Sequence, residues 1–352
     1  MKFWHLFIVL FFIAGCSSET VKNLEPRPTA FGPMNQLVVI ADADLWNSMV
    51  RDTFEYYFSA AYPVLPQPEP IFDLKHFTPE ELLAVKERKE LRNYIFLADI
   101  NDTDSRGTKL VKNDLGSEKV REARETNGYK SSIGKDKWAD GQLLVYLIGA
   151  GHDKLVENIQ ESYSAIIRRI READQKKVAA SIYLNGTAGK VENQLQNSLG
   201  VQMKIPSDYI VALDKDSTFW LRRETPDASS NIMIRKMKYE DQEQLTKSGA
   251  KKMIRNLGLL VSSANPNTYL KVNDVDLPML AQNMTLNNYF ALETRGIWEL
   301  ANDWMGGPFV SYTLHNPNTN ELLMLFGFIY APGEEKRQYM QQIEHVMHTV
   351  KF

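Results

Sequence analysis

The sequence predicts a mixed α/β (α+β) protein, with an N-terminal sheet covered by packed helices followed by a C-terminal antiparallel α/β sandwich. Three observations carry this. Strand-like runs at Leu37–Ala41, Asn93–Ala98 and Leu143–Ile148 alternate with helix-like stretches of three-to-four apolar spacing, the pattern of a sheet with helices packed on it. Beyond about Lys190 the runs come in pairs across turn-rich segments, as hairpins do. The length, 352 residues, exceeds the roughly 250–300 residues that one core serves. Two domains are therefore expected, over 36–186 and 187–352, behind a signal peptide at 1–15 and a tether at 16–35.

At the N-terminus, Lys2 precedes an unbroken apolar run from Leu6 to Ala14, too short to cross a bilayer that needs about 20 residues. The run ends in Ile13-Ala14-Gly15-Cys16, which resembles the bacterial lipobox, where a peptidase cleaves before a Cys that receives acyl chains. Cys16 is the only cysteine, and lipidation explains its position; an uncleaved signal anchor with a buried thiol is the alternative. Acyl chains on Cys16 would hold the protein on a membrane without a spanning helix. Ser17, rather than Asp, favours the outer membrane by resemblance to lipoprotein sorting. The scarcity of acids from Ser17 to Lys22 favours its periplasmic side. Pro26, Pro28 and Pro33 mark a semi-rigid tether.

After the first strand, Trp46, Met49, Val50, Phe54, Tyr57 and Phe58 share one face of a helix expected over 45–58, with Asp44 as its N-cap. A proline-rich stretch, Pro63 to Pro70, ends it. Thr78-Pro79-Glu80-Glu81 spells a capping box with Pro at the first helical position, and Phe77 and Leu82 can staple it. The polar stretch 101–140 is expected to hold at most one short helix, after Ser117. A helix over 154–172 carries Leu155, Ile159, Tyr163, Ile166 and Ile170 on one side. Gly186 to Lys190 breaks the apolar pattern and marks the domain boundary. Val201–Ile205 reads as a strand, Thr218–Arg223 with Asn231–Arg235 as a hairpin, and Phe309–Thr313 with Leu322–Tyr330 as another. A helix from about Glu334 closes the chain.

Composition removes several functions. Lys plus Arg number 41 against 44 Asp plus Glu, a formal charge of −3, so a globally cationic nucleic-acid binder is excluded and no nucleic-acid partner is expected. One cysteine excludes an internal disulfide, a CxxC redox centre and a multi-thiolate metal site. Glu344-His345-Val346-Met347-His348 is neither HExxH nor its inverse, and helical spacing places both histidines opposite an apolar face centred on Ile343, toward solvent. The acids from Asp99 to Asp104 fail as a calcium loop, with Arg106 and Asn113 at ligand positions, and read as a turn. Asp42 and Asp44 read as caps. Gly149-Ala150-Gly151 hints at phosphate binding, but Lys154 stands where a dinucleotide fingerprint needs its third Gly. No GxSxG elbow occurs. No metal or cofactor is expected.

The segments Arg295-Gly296-Ile297-Trp298-Glu299, Trp304 to Val310, Gly327 to Gly333 and Lys336-Arg337-Gln338-Tyr339, with Trp138 and Gln142 ahead of the third strand, resemble a family of Bacteroidota lipoproteins of unknown function that spans nearly the whole mature chain. Trp304 stands where another aromatic such as Phe is expected. The resemblance implies no activity and carries over no catalytic residue. Residues 200–352 are also similar to the α/β sandwich of photosystem II extrinsic subunit P-like domains, which implies partner binding or support rather than catalysis.

The functional expectation is a non-enzymatic binding or scaffold protein of the cell envelope, held to the outer membrane through Cys16 and meeting an envelope protein or ligand. The alternative is a periplasmic hydrolase acting on glycan or peptide through dispersed carboxylates, which requires a cleft holding two close acids. Arg295, Trp298, Glu299, Asp303 and Trp304 form the candidate partner surface, because Trp and Arg concentrate binding energy. The other reading of that segment buries both Trp at the end of an element and uses Gly306-Gly307-Pro308 to turn into the next strand.

Overall fold

A computed structural model describes residues 27–352; the expected signal peptide, the lipidation expected at Cys16 and the expected tether up to position 26 lie outside the described residues. The first sheet has five strands: β1 (Gln36–Ile40), β2 (Asp73–Phe77), β3 (Asn93–Asp99), β4 (Tyr129–Lys135) and β5 (Leu143–Gly149). Their order is β2-β1-β3-β5-β4, parallel throughout except for β4 on β5. The central strands β1, β3 and β5 are buried on both faces, which is why they read as continuous apolar runs. The edge strands β2 and β4 alternate exposed and half-buried residues and show no such run.

Six helices cover this sheet: α1 (Ala43–Trp46), α2 (Met49–Phe58), α3 (Pro79–Ala84), α4 (Arg106–Leu115), α5 (Ser117–Thr126) and α6 (His152–Ile182). Leu37, Val39, Ile95, Leu97 and Val145 pack with Phe54 and Phe58 of α2 and Leu155, Ile159 and Ile166 of α6. Their neighbours Val38, Ile40, Phe96, Leu144 and Ile148 point the other way, onto Leu82, Val111 and Ala123 of α3, α4 and α5.

Several sequence expectations are corrected here. The helix expected over 45–58 breaks at Asn47 and Ser48, where Ser48 Oγ accepts from Val50 N. Asp44 is not an N-cap but lies in the first turn of α1. Asp42 instead reaches α4, accepting from Ser105 Oγ at 2.6 Å and Gly107 N at 3.2 Å. The capping box of Thr78 and Glu81 forms as expected. The stretch 101–140 holds two helices and β4, because α4 buries only Gly107, Thr108 and Val111, and α5 only Ala123, too thin a stripe to show as a period. The helix expected over 154–172 runs ten residues further. Asp174 binds the buried Arg92 and Asn93, and Lys177 donates to Ala30 O, so polar contacts hold its last turns where apolar ones cease.

The second sheet is antiparallel: β6 (Ile210–Lys215), β7 (Thr218–Glu224), β8 (Ser229–Lys238), β9 (Leu270–Asn273), β10 (Leu280–Leu286), β11 (Tyr289–Leu300), β12 (Gly306–Asn316) and β13 (Glu321–Tyr330). The order is β10-β11-β12-β13-β8-β7-β6, with β9 also paired to β11. Three helices accompany it: α7 (Gly189–Leu199), α8 (Lys247–Gly258) and α9 (Arg337–Met347). In β13, Leu323, Leu325 and Ile329 face the cluster that contains α9, while Met324, Phe326 and Phe328 face α8. The segment 201–205 is not a strand. Its alternation is real, with Val201, Met203 and Ile205 buried, but it pairs only through the Gln202–Lys351 bridge.

One apolar cluster runs through both halves of the chain, from Phe54 and Ile166 to Leu325 and Ile343. Polar contacts follow it. The arm between α2 and β2 docks on α9, with Glu69 accepting from the backbone N–H of Lys336 at 2.6 Å and of Arg337 at 2.9 Å. Arg337 returns to Asp73, and Asn35 and Gln341 exchange amide bonds at 3.0 and 2.8 Å. His345 and His348 therefore do not face open solvent. They line a narrow cleft of about 100 Å³ with Arg171, Asp174 and Val178 of α6, because the side of α9 away from its own sheet is covered by the first half.

Candidate functional site

The period of a strand separates the residues that the sequence grouped. Along β11, Glu293 and Arg295 point toward α9 and the arm, whereas Leu292, Trp298 and Leu300 point into the core under α8. Trp298 is 3% exposed, and its Nε1 donates to Ile329 O at 3.1 Å. Gly307 sits beneath that indole, where a Cβ would lie 2.0 Å from Ile329 O. Gly306 and Gly307 are thus already strand residues, opposite Glu299 and Trp298. The turn itself is Ala301 to Met305, closed by Leu300 N donating to Met305 O. Asn302 there takes the left-handed conformation, at φ 62°.

Arg295 is the centre of a buried ion cluster. Its Nε donates to Glu293 Oε1 at 2.8 Å and its Nη1 to Glu344 Oε1 at 2.6 Å. Tyr62 of the arm donates to the same Glu344 oxygen at 2.6 Å, and Gln282 donates to Glu293 at 2.8 Å. Burial opposes the charge on Arg295, but Glu344 and Glu293 outweigh it and hold its pKa above the ordinary value. Burial would raise Glu344; the charge and hydrogen bond of Arg295, with Tyr62, outweigh it and hold that carboxyl below its ordinary value. Burial and the neighbouring Glu344 push both Tyr62 and Tyr312 upward, so both phenols stay neutral. His348, whose ring meets Tyr312 edge to face at 5.0 Å, is lowered by burial despite Glu344 and Glu293 nearby. Both carboxyl groups are bonded to one guanidinium, and Glu344, held below its ordinary value, has no proton to donate at neutral pH. The arrangement is a charged lock between β11, α9 and the arm.

The other end of the hairpin is exposed. Trp304 is 102% exposed. Asp303 accepts from Trp304 N at 2.7 Å, and hydrogen bonds from Ser263 and then Trp304 hold its carboxyl below the ordinary value. Ala301 N donates to Tyr269 O, and Asn302 Nδ2 to Asn267 O, stitching this turn to the loop between α8 and β9. That loop presents Leu259 at 61%, Leu260 at 44% and Tyr269 at 37% exposure. Glu299 lies between the two ends, bonded to Lys271 and Asn273.

The remaining motifs are accounted for by local structure. Asp102 Oδ1 accepts from Asp104 N and Ser105 N, a turn, and Ser105 Oγ caps α4. Asp99 accepts from Gly151 N at 2.8 Å, so a carboxylate of the chain itself holds the place a phosphate would take at the start of α6. Among the described residues no cluster of His, Cys, Asp and Glu could hold a metal ion, and no helix is long and apolar enough to cross a membrane. Sequence reasoning missed Tyr62, Glu293, Leu259, Leu260 and Tyr269. Tyr62 and Glu293 carry no local signal; the leucines were visible as apolar residues following α8 outside its buried stripe.

Residues 30–183 match the model of one domain of unknown function (DUF8532) and residues 188–349 that of another (DUF4837). No curated protein matches the chain by sequence. Among solved structures, the Saccharomyces cerevisiae Ran-binding protein Mog1p is similar at a TM-score of 0.28 and 11% identity, over 43% of this chain and 89% of that one. The human StarD13 lipid transfer and protein localization domain is similar at 0.20 and 11%, over 40% and 88%. Likenesses this slight carry no argument about what the chain does.

Proposed function

We propose, for a chain whose residues 30–183 and 188–349 match the DUF8532 and DUF4837 models, the function of an envelope lipoprotein that binds rather than transforms its ligand. In this reading acyl chains on Cys16 anchor it to the outer membrane with the folded part facing the periplasm. The end of the second sheet at Trp304 is its contact surface. The exposure of Trp304, on a turn hydrogen-bonded to the loop that also exposes Leu259, Leu260 and Tyr269, carries the reading. Apolar side chains gathered at one exposed place, on a domain whose other large apolar groups are mostly packed, mark an interaction site. The pair of acids that a hydrolase would need is represented by Glu293 and Glu344, and both are spent on Arg295, which favours binding over catalysis.

Two variants test the two parts. Cys16→Ala is expected to abolish acylation and leave the precursor unprocessed; normal processing and membrane retention of that variant would overturn the anchor. Trp304→Ala is expected to melt with wild type and to lose recovery of the envelope components that the wild-type chain retains. Unchanged recovery would remove the Trp304 surface from the function.

A further inference from the structure

We propose that the Trp304 surface docks on an anionic phospholipid bilayer, as a non-covalent contact beside the N-terminal anchor. This rests on the reading of that loop end as the contact surface and names what it contacts. Lys252, Arg255 and Leu259 follow one another at three and four positions in and just after α8, so they share one exposed helix face. At 1.5 Å per residue, Arg255 stands about 6 Å and Lys252 about 10 Å behind Leu259 along the axis. With the C-terminal end of α8 directed at a bilayer, that offset lets Leu259 enter the surface while the two cations stay at the level of the phosphates. The cations are uncommitted: among the described residues Lys252 and Arg255 enter no ion pair, whereas Lys247 and Lys251 of the same helix bind Asp274, and Lys271 binds Glu299.

The acid nearest the tip, Asp303, is engaged by the N–H of Trp304 and the hydroxyl of Ser263. Around it the exposed residues Asn256, Ser262, Asn267 and Asn302 are polar and uncharged. Trp and Tyr are the side chains whose rings settle at the headgroup level of a bilayer. The shape agrees with the charge. Trp304 projects from a turn with its ring wholly in solvent, as insertion into a fluid surface requires.

The test uses the full chain reconstituted in vesicles of phosphatidylglycerol and phosphatidylcholine whose acyl chains carry bromine, which quenches indole fluorescence on contact. The N-terminus holds the chain on the vesicle whether it is acylated or uncleaved, so the informative quantity is the part of the quenching that Trp304→Ser removes. Wild type is expected to show such a part. Lys252→Gln and Arg255→Gln are each expected to weaken the loop contact about five-fold at low salt, the equivalent of one basic residue near an anionic surface. Equal quenching of wild type and Trp304→Ser overturns the proposal. If Trp304→Ser nevertheless loses envelope components, the surface stands with a protein partner in place of lipid; if it loses none, both readings fail. Quenching that is as strong in pure phosphatidylcholine overturns the role of the two cations.

Discussion

Arg295 and Glu344, 49 positions apart, meet at 2.6 Å with both side chains under one-fifth exposed. The same Glu344 oxygen takes the hydroxyl of Tyr62, so strand, terminal helix and the arm of the first half converge on one carboxylate. Removing one partner of a buried pair leaves the other charged and unsolvated, a loss of about 3–5 kcal/mol. Glu344→Gln and Arg295→Met should each fall in that range by urea denaturation. Tyr62→Phe should cost about 2 kcal/mol, the worth of a hydrogen bond to a charged group. Losses within about 0.5 kcal/mol, the range of ordinary surface changes, would mean that the cluster does not hold the halves together.

Acid should weaken the fold well before the carboxylates titrate. Burial lowers His348, His345 and His76 below the ordinary histidine value of 6.5 in the folded chain. Between that value and the folded one, the unfolded chain binds protons that the folded chain refuses, so stability falls as pH drops below about 6.5. Glu344, held below its ordinary 4.5, adds a second loss at lower pH, while Asp174, raised by burial, partly offsets it. The urea midpoint should therefore decline from about pH 7 to about pH 5.5. The decline should be shallower in His348→Gln. A flat profile for wild type would show that these histidines titrate freely in the fold.

What the sequence made legible follows from where free energy is local. The strand β13 was readable because both its faces are buried, and the capping box at Thr78 because both its bonds lie within four residues. The edge strands β2 and β4 and the thin-striped helices α4 and α5 were not, since one buried residue in a turn leaves no period. The grouping of Arg295 with Trp298 failed for a geometric reason: three positions in a strand reverse the face, whereas three in a helix preserve it. Tyr62 and Glu344 are 282 positions apart, and no pattern short of the fold pairs them.

Glu69 is the second tie between the halves. Its two oxygens accept the N–H groups of Lys336 and Arg337 at the start of α9, and it is 7% exposed. A carboxylate there satisfies two donors that the helix cannot, and it lies at the positive end of the helix dipole. Glu69→Ala should cost about 2–3 kcal/mol, the value of charged hydrogen bonds lost from a buried site. Glu69→Gln should cost less, because one acceptor oxygen survives. Equal losses in thermal melts would mean that packing, not the bonds, sets the cost.

Gly327 sets how closely α9 lies on the second sheet. A Cβ there would stand 2.4 Å from Ile343 Cγ2 and 2.9 Å from Met347 Cε. Those side chains also fill the shared cluster, so they have little room to yield. Gly327→Ala should destabilise by about 1–3 kcal/mol, as overpacking does. A variant as stable as wild type would show that α9 can ride outward without loosening its ties to Glu69 and Tyr62.

The two tryptophans of one hairpin should behave oppositely. Trp298 is buried against Phe328, with ring centroids 5.4 Å apart at 75°, and its indole N–H bonds to Ile329 O. Truncating it empties the core under α8 and leaves that carbonyl unpaired, so Trp298→Ala should lose about 3–5 kcal/mol. Trp304, six positions on, touches solvent on every side, and Trp304→Ala should stay within about 0.5 kcal/mol of wild type. Contact with the envelope should follow the reverse order once folded fractions are equalised: lost in Trp304→Ala and kept in Trp298→Phe, which preserves an aromatic ring in the core. Calorimetry gives the first comparison, and recovery of envelope components together with bromine quenching at the loop gives the second. If Trp304→Ala destabilises as much as Trp298→Ala, the turn is structural, and the functional surface must be sought elsewhere on the molecule.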